Sequence, residues 1–170
     1  DSQADLADRA LVHFDARLRH EPLVVDKWFA LQARMPDRAD GRVFARVKQL
    51  LQHPDFSLKN PNRARSLIQA FCGGNPAAFH RSDAAGYVFW SDAVREVDGI
   101  NSQLSSRMAR VMDRWNHLAE PYRSAAREAI AELAQRARMT ERCRHLLALG
   151  STSLVTSEAT PAVRDPRGES

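Results

Sequence analysis

The chain has 170 residues, a length for about one domain, and its 44% hydrophobic and 27% charged residues exclude wholesale disorder and collagen-like or mucin-like composition. The net charge is +4 and the pI about 9.6, but Arg and Asp or Glu alternate along the chain, and only Lys27, Lys48 and Lys59 are lysines; this is a mixed-sign solvated surface and not a nucleic-acid-binding stripe. No apolar run reaches the ~18–20 residues of a membrane span, and Cys72 and Cys143 lie far apart without CxxC spacing, which points to a reducing, cytoplasmic setting with no membrane and no nucleic acid as partners.

Apolar residues recur at helical spacing almost throughout and period-two alternation is absent, so the chain reads as all-α. The chain opens at Asp1, already within a helical pattern, and reads as a piece of something longer. A first helix is expected over about 3–20, with Leu6, Ala10, Leu11, Phe14 and Leu18 on one face. The second starts near Pro22 and carries Val25, Trp28, Phe29 and Gln32 to about Met35, where Pro36 stops it. The third holds Val43, Phe44, Val47, Leu50 and Leu51, then breaks at His53-Pro54. Asn60-Pro61 is a cap followed by a first-turn proline, opening a helix with Ala64, Leu67, Ile68 and Phe71 inward and Gly73-Gly74 at its end.

Asn75-Pro76 repeats the signal for a short segment to His80, and Asp83 caps a helix with Tyr87, Phe89, Trp90, Ala93 and Val97 that Gly99 closes. Asn101 caps the next, in which the apolar stripe Leu104, Met108, Val111, Met112 and Trp115 runs beside a polar stripe of Gln103, Arg107, Arg110 and Arg114. Two further helices follow, about 119–138 with Pro121 in its first turn and about 140–149 with Thr140 as cap. Helices on this rhythm are what stacked helix hairpins produce. The expected architecture is an α-α superhelix of about eight antiparallel helices, HEAT- or armadillo-like, with a compact helical bundle as the alternative. The domain covers 1–149; from Gly150 onward Ser, Thr, Glu, Pro and Arg displace apolar residues, and 150–170 reads as a flexible tail.

Zinc hydrolysis needs His and carboxylate ligands converging on one face, as HExxH achieves with two imidazoles one helical turn apart. The six histidines, His13, His20, His53, His80, His117 and His145, have no such partner, so no metal ligand and no catalytic residue is assigned. Gly73-Gly74-Asn75 is more simply a helix stop than an anion cradle. Arg65, beside Arg63, and Arg107, one turn after Gln103, have forked donors that suit a carboxylate or carbonyl. Spacing alone favours structural roles for both.

The words themselves carry more. Asp26-Lys-Trp-Phe-Ala-Leu-Gln-Ala33, the block Asn60-Pro-Asn-Arg-Ala-Arg-Ser-Leu-Ile-Gln-Ala-Phe71, and Asn75-Pro-Ala-Ala-Phe-His80 followed by Gly86-Tyr-Val-Phe89 resemble the C-terminal helical domain of bacterial aminopeptidase N, a family of zinc-dependent alanyl/membrane-type aminopeptidases. The resemblance covers about residues 3–149 and implies an α-superhelical domain capping an active site housed in a separate, thermolysin-like domain of the same polypeptide. That domain carries HExxH, a downstream Glu and the GAMEN motif, all missing from this chain. Zinc is thus implied for the parent enzyme and not for this chain, which alone is expected to be inactive. In the family the helical domain closes the catalytic cavity and contributes polar side chains on the leaving-peptide side; the matching positions are Arg65, Gln103 and Arg107, as substrate-binding residues for peptides. Asn60 and Asn62 read as cap and brace, Trp28 and Tyr87 as core. A reading from another class is a non-catalytic HEAT-like protein-interaction module.

Overall fold

The computed structural model describes residues 6, 9, 21–37 and 41–136. The expected helix over 140–149 and the tail 150–170 lie outside the described residues, as does most of the expected helix 3–20; of that helix Leu6 and Arg9 are described, both helical, with Leu6 exposed. The described residues form seven helices and no strand: α1 (Pro22–Ala33), α2 (Arg42–Leu50), α3 (61–74), α4 (Pro76–Phe79), α5 (Ala85–Asp98), α6 (Ser102–Ala109) and α7 (Tyr122–Arg136). The all-α expectation holds.

Several helices start where a side chain satisfies free amides of the first turn. Asn60 Oδ1 accepts from the amides of Asn62 (3.0 Å) and Arg63 (3.4 Å), with Pro61 in the first turn of α3. Asn101 Oδ1 accepts from Leu104 N at 3.0 Å to open α6. Asp83, held by a two-pronged contact from Arg81, accepts from Ala85 N at 3.1 Å, although the cap position itself falls on Ala84, in the left-handed region at φ 58°. Glu120 takes the amide and hydroxyl of Ser124, and α7 begins at Tyr122, one residue after Pro121.

Two helices depart from the expected regularity. α3 is α-helical over Pro61–Ala64 and Ala70–Gly74 but π-helical over Arg65–Gln69. The helix expected to run on to Trp115 ends as α6 at Ala109 and tightens into 3-10 turns over Arg110–Met112 and Trp115–His117. Trp115 still reaches the core, and α7 packs against this second turn as well as against α5.

The core joins two sets of helices. In the first, α1 packs on α2 and on α3, burying Val25, Trp28, Phe29 and Ala33 against Val47, Leu67 and Ile68. In the second, α5 runs antiparallel to α6: Trp90 Nε1 donates to Met108 O at 3.0 Å and Ser105 Oγ to Val94 O at 3.2 Å. Aromatic rings bridge the sets. Phe71 of α3 stacks on Phe44 of α2 and meets Phe89 of α5 edge-on, both at 5.6 Å, and Phe79 of α4 meets Tyr87 at 5.4 Å. Each such ring fully withdrawn from water is worth about 1.5–3 kcal/mol, so these contacts set the relative placement of the two halves.

Polar side chains fix the joints. Asn75, buried at the α3–α4 junction, donates through Nδ2 to Ala33 O (3.0 Å) and Met35 O (2.9 Å) and accepts from Ala78 N, so it closes the end of α1 and opens α4 together. His80 Nδ1 lies 2.9 Å from Tyr87 Oη; burial holds the imidazole below its usual pKa and pushes the phenol up to about 12. Arg63, also buried, donates to Asp55 O (2.9 Å), Pro22 O (3.0 Å) and the Asp26 carboxylate, with its guanidinium over the Phe29 ring.

Gly86 sits where α5 crosses α4, and a Cβ there would lie 2.0 Å from Phe79 O. Alanine in a helix interior is ordinarily the better residue by about 1 kcal/mol; here Gly86→Ala should instead destabilise by about 1–3 kcal/mol, the cost of overpacking. Urea unfolding of the two forms checks the sign. The same measurement separates the neighbouring arginines. Arg63→Ala strands the Asp26 carboxylate and should cost about 3–5 kcal/mol, whereas Arg65→Ala, on the exposed side, should stay within about 0.5 kcal/mol.

Candidate functional site

Arg63 and Arg65 are two residues apart, which on a helix turns the side chains roughly 200° from one another. With Arg63 committed to the interior, Arg65 faces out: it is exposed, and its Nη2 donates to Asn62 Oδ1. Asn62 therefore braces Arg65 across one turn, as Asn60 caps the helix. Arg65 also opens the π-helical segment, a local widening that recurs at functional sites.

Gln103 and Arg107 stand one turn apart on α6, both exposed, while the next residues round the helix, Leu104 and Met108, are buried. Arg107 lies in the last turn of α6 and makes no ion pair among the described residues, unlike Arg95, Arg110 and Arg123, which pair with Asp92, Asp113 and Glu120. Arg114 and Arg127 are exposed and without such a pair too, so lack of an acid is not what distinguishes Arg107. Position is.

The C-terminal turn of α3 meets the turn that follows α6: a Cβ on Gly73 would lie 3.5 Å from Val111 Cγ2. Counting back from that contact by four and eight residues gives Gln69 and Arg65 on α3, and Arg107 and Gln103 on α6. The expected residues lie on α3 and α6, whose C-terminal ends approach one another at Gly73 and Val111. No described side-chain contact joins Arg65 to Gln103 or Arg107, and each of the three is exposed. Gln69, half-buried at the end of the π-helical segment, carries no signal in the sequence. Its Oε1 is shielded from solvent and accepts no hydrogen bond.

Chemically Arg65, Gln103 and Arg107 offer N–H donors, and Gln103 a carbonyl acceptor as well. Two guanidinium groups and one carboxamide can bind carbonyl or carboxylate oxygens. No catalytic group stands with them. Among the described residues there is no group of three or more His, Cys, Asp and Glu placed to hold a metal ion. His53 packs on the Trp28 and Phe29 rings, and His80 serves the Tyr87 contact.

Comparison with known proteins agrees with this picture of a helical wall. A family described as a domain of unknown function (DUF3458_C) with ARM repeats matches residues 1–147. Among curated proteins, aminopeptidase N of Caulobacter vibrioides is 43% identical over 108 residues, covering 64% of this chain and 12% of that protein. Aminopeptidase N of Escherichia coli is 37% identical over 132 residues, covering 78% and 15%. Among solved structures, Legionella pneumophila aminopeptidase A, determined in complex with aspartic acid, superposes with a TM-score of 0.79 at 27% identity, over 88% of this chain and 17% of that one. The chain therefore spans well under a fifth of the length of the relatives it matches. The likeness in the three sequence blocks is borne out, and with it the superhelical expectation: the chain belongs to the DUF3458_C family of ARM-repeat domains.

Proposed function

We propose that this chain is the C-terminal helical cap of a zinc aminopeptidase, an enzyme that removes N-terminal amino acids from peptides in the cytoplasm. The cap comprises residues 1–149, followed by a tail over 150–170. What carries the proposal is the pairing of 37–43% identity to aminopeptidases N with coverage of only 12–15% of their length. A segment so similar and so short is one structural part of such an enzyme. The absence of a membrane-length apolar helix among the described residues is compatible with a cytoplasmic setting.

In this reading the catalytic domain of the same polypeptide holds the zinc. The cap supplies wall and counter-charge. Arg65 and Arg107 grip carbonyl or carboxylate oxygens on the leaving side of a bound peptide, and Gln103 adds a donor that does not depend on charge. A hydrogen bond to a charged partner is worth about 1.5–3 kcal/mol. Arg65→Ala or Arg107→Ala in the complete enzyme should accordingly lower kcat/KM for dipeptides and longer peptides by about tenfold or more. Turnover of an aminoacyl arylamide, which has no leaving peptide, should change far less. Equal losses on both substrates would overturn these roles.

The present chain, purified alone, should show helical circular dichroism, bind no stoichiometric zinc and leave an alanine arylamide intact. Turnover by this chain by itself would refute the division of labour between cap and catalytic domain.

A further inference from the structure

Helices α1 and α3 run parallel and are tied at both ends. At the start, Arg63 of α3 donates to Pro22 O and to the Asp26 carboxylate; at the finish, Asn75 Nδ2 donates to Ala33 O and Met35 O. α2 packs against both helices, so the sides of α1 and α3 that turn away from α2 face the same way. On α1, Gln32 turns toward α2 and accepts from Arg46, while Lys27 and, just past the helix end, Arg34 are exposed. α3 ends in the exposed pair Gly73 and Gly74.

Charge on these two helices is one-sided. From Pro22 to Pro36 and from Pro61 to Pro76 the cations are Lys27, Arg34, Arg63 and Arg65, and the single acid is Asp26. Asp26 is spent on Arg63. Lys27, Arg34 and Arg65 are exposed and make no ion pair among the described residues. Elsewhere the signs mix: α5 sets Asp92, Glu96 and Asp98 around Arg95, and α7 sets Glu128 and Glu132 among its arginines. A surface of one sign concentrates ligands of the other.

An arginine just past a helix end ordinarily bonds the free carbonyls there. Here Ala33 O and Met35 O are already taken by Asn75, and the Arg34 side chain makes no hydrogen bond among the described residues. Its stem lies along Gly74, where a Cβ would sit 2.9 Å from Arg34 Nε and 3.4 Å from Cγ. Outside its own helix, a Cβ on Gly73 would meet only Val111 Cγ2, at 3.5 Å. A forked donor thus stands beside a floor of bare backbone, a setting that suits a planar carboxylate.

We infer that Arg34, beside Gly73 and Gly74, is a seat for the C-terminal carboxylate of longer peptides, separate from the grip of Arg65 near the bond that is cut. The inference rests on the aminopeptidase reading above. α1 is regular between the two ties, and from Asp26 to Arg34 it advances about 12 Å along its axis. Arg65 lies two residues inside the first tie, which leaves roughly 9 Å to Arg34, or about three residues of extended chain at ~3.3 Å each. A peptide of about five residues, one to be released and four to leave, spans that interval. Lys27, close to the first tie, adds to the field but offers no fork.

The test is the preference for a free C-terminal carboxylate over its amide, taken as the ratio of kcat/KM in the complete enzyme for alanine peptides of increasing length from the dipeptide. For the pentapeptide the wild-type ratio should be about tenfold or more, and Arg34→Ala should bring it close to one. The dipeptide ratio should be the same in both forms, because its carboxylate lies at Arg65. A wild-type pentapeptide ratio near one, or a ratio that survives Arg34→Ala, would overturn the seat. So would an equal drop at every length, which marks a diffuse field and not a site. Binding separates the seat from the reading beneath it: a pentapeptide with its first peptide bond reduced to a methylene-amine is titrated calorimetrically into the same two enzymes, as acid and as amide. If no peptide is hydrolysed but the acid binds about tenfold tighter than the amide only where Arg34 is present, the aminopeptidase reading falls and the seat stands. Equal binding of acid and amide by the wild type sinks the seat, whatever the turnover.

Discussion

A guanidinium removed from water must find acceptors for a rigid fan of donors, and Arg63 finds three of them on two other stretches of chain, tying both to its own. Pro22 and Asp26 lie at the start of α1, Asp55 in the connection after α2, and Arg63 itself in the first turn of α3. Few other single residues could hold these pieces in one arrangement, because an ammonium lacks both the fork and the flat face that rests on Phe29. The clamp also decides the outer surface. By fixing the phase of the first turn of α3, a buried contact with no functional chemistry of its own commits Arg65 to solvent.

The second constraint is the aromatic bridge. Phe44, Phe71, Phe79 and Phe89 come from four different helices and meet within about one ring width of each other, so α1–α3 and α5–α7 are not free to slide. The contact of Gly73 with Val111 sits at the edge of this cluster. It brings together the ends of α3 and α6, and the exposed rows of both helices lead away from that point. Packing in the interior, rather than any bond between the polar residues, sets where α3 and α6 carry Arg65 and Arg107.

Much of this could be read before any coordinates, and the legible parts are the local ones. Asn60-Pro61, Asn75-Pro76 and Asn101 announce helix starts because a cap needs only its own side chain and the next three amides. Trp28 and Tyr87 fall in the core as their spacing demands, and Arg65, Gln103 and Arg107 are exposed as a binding role requires. What escaped was decided at a distance. Nothing near Asn75 says that its amide nitrogen will close the end of a helix some 40 residues earlier. The end of α6 at Ala109 also escaped, since Trp115 continues the apolar stripe while the backbone tightens beneath it. Which of Arg63 and Arg65 turns inward depends on Asp26, 37 residues away.

The π-helical turn at Arg65–Gln69 has a further consequence. It lodges surplus chain between two ordinary helical stretches, one anchored by the Asn60 cap and the other by Phe71 and Asn75. Side chains before and after it are therefore phased separately. Ala64 answers to the first anchor and Phe71 to the second, and the residues between answer fully to neither. Such a turn loosens the link between what a helix buries and what it displays. Related chains could thus lose, gain or retune side chains along the wall by altering this one turn, while the hydrophobic register on both sides stayed as it was.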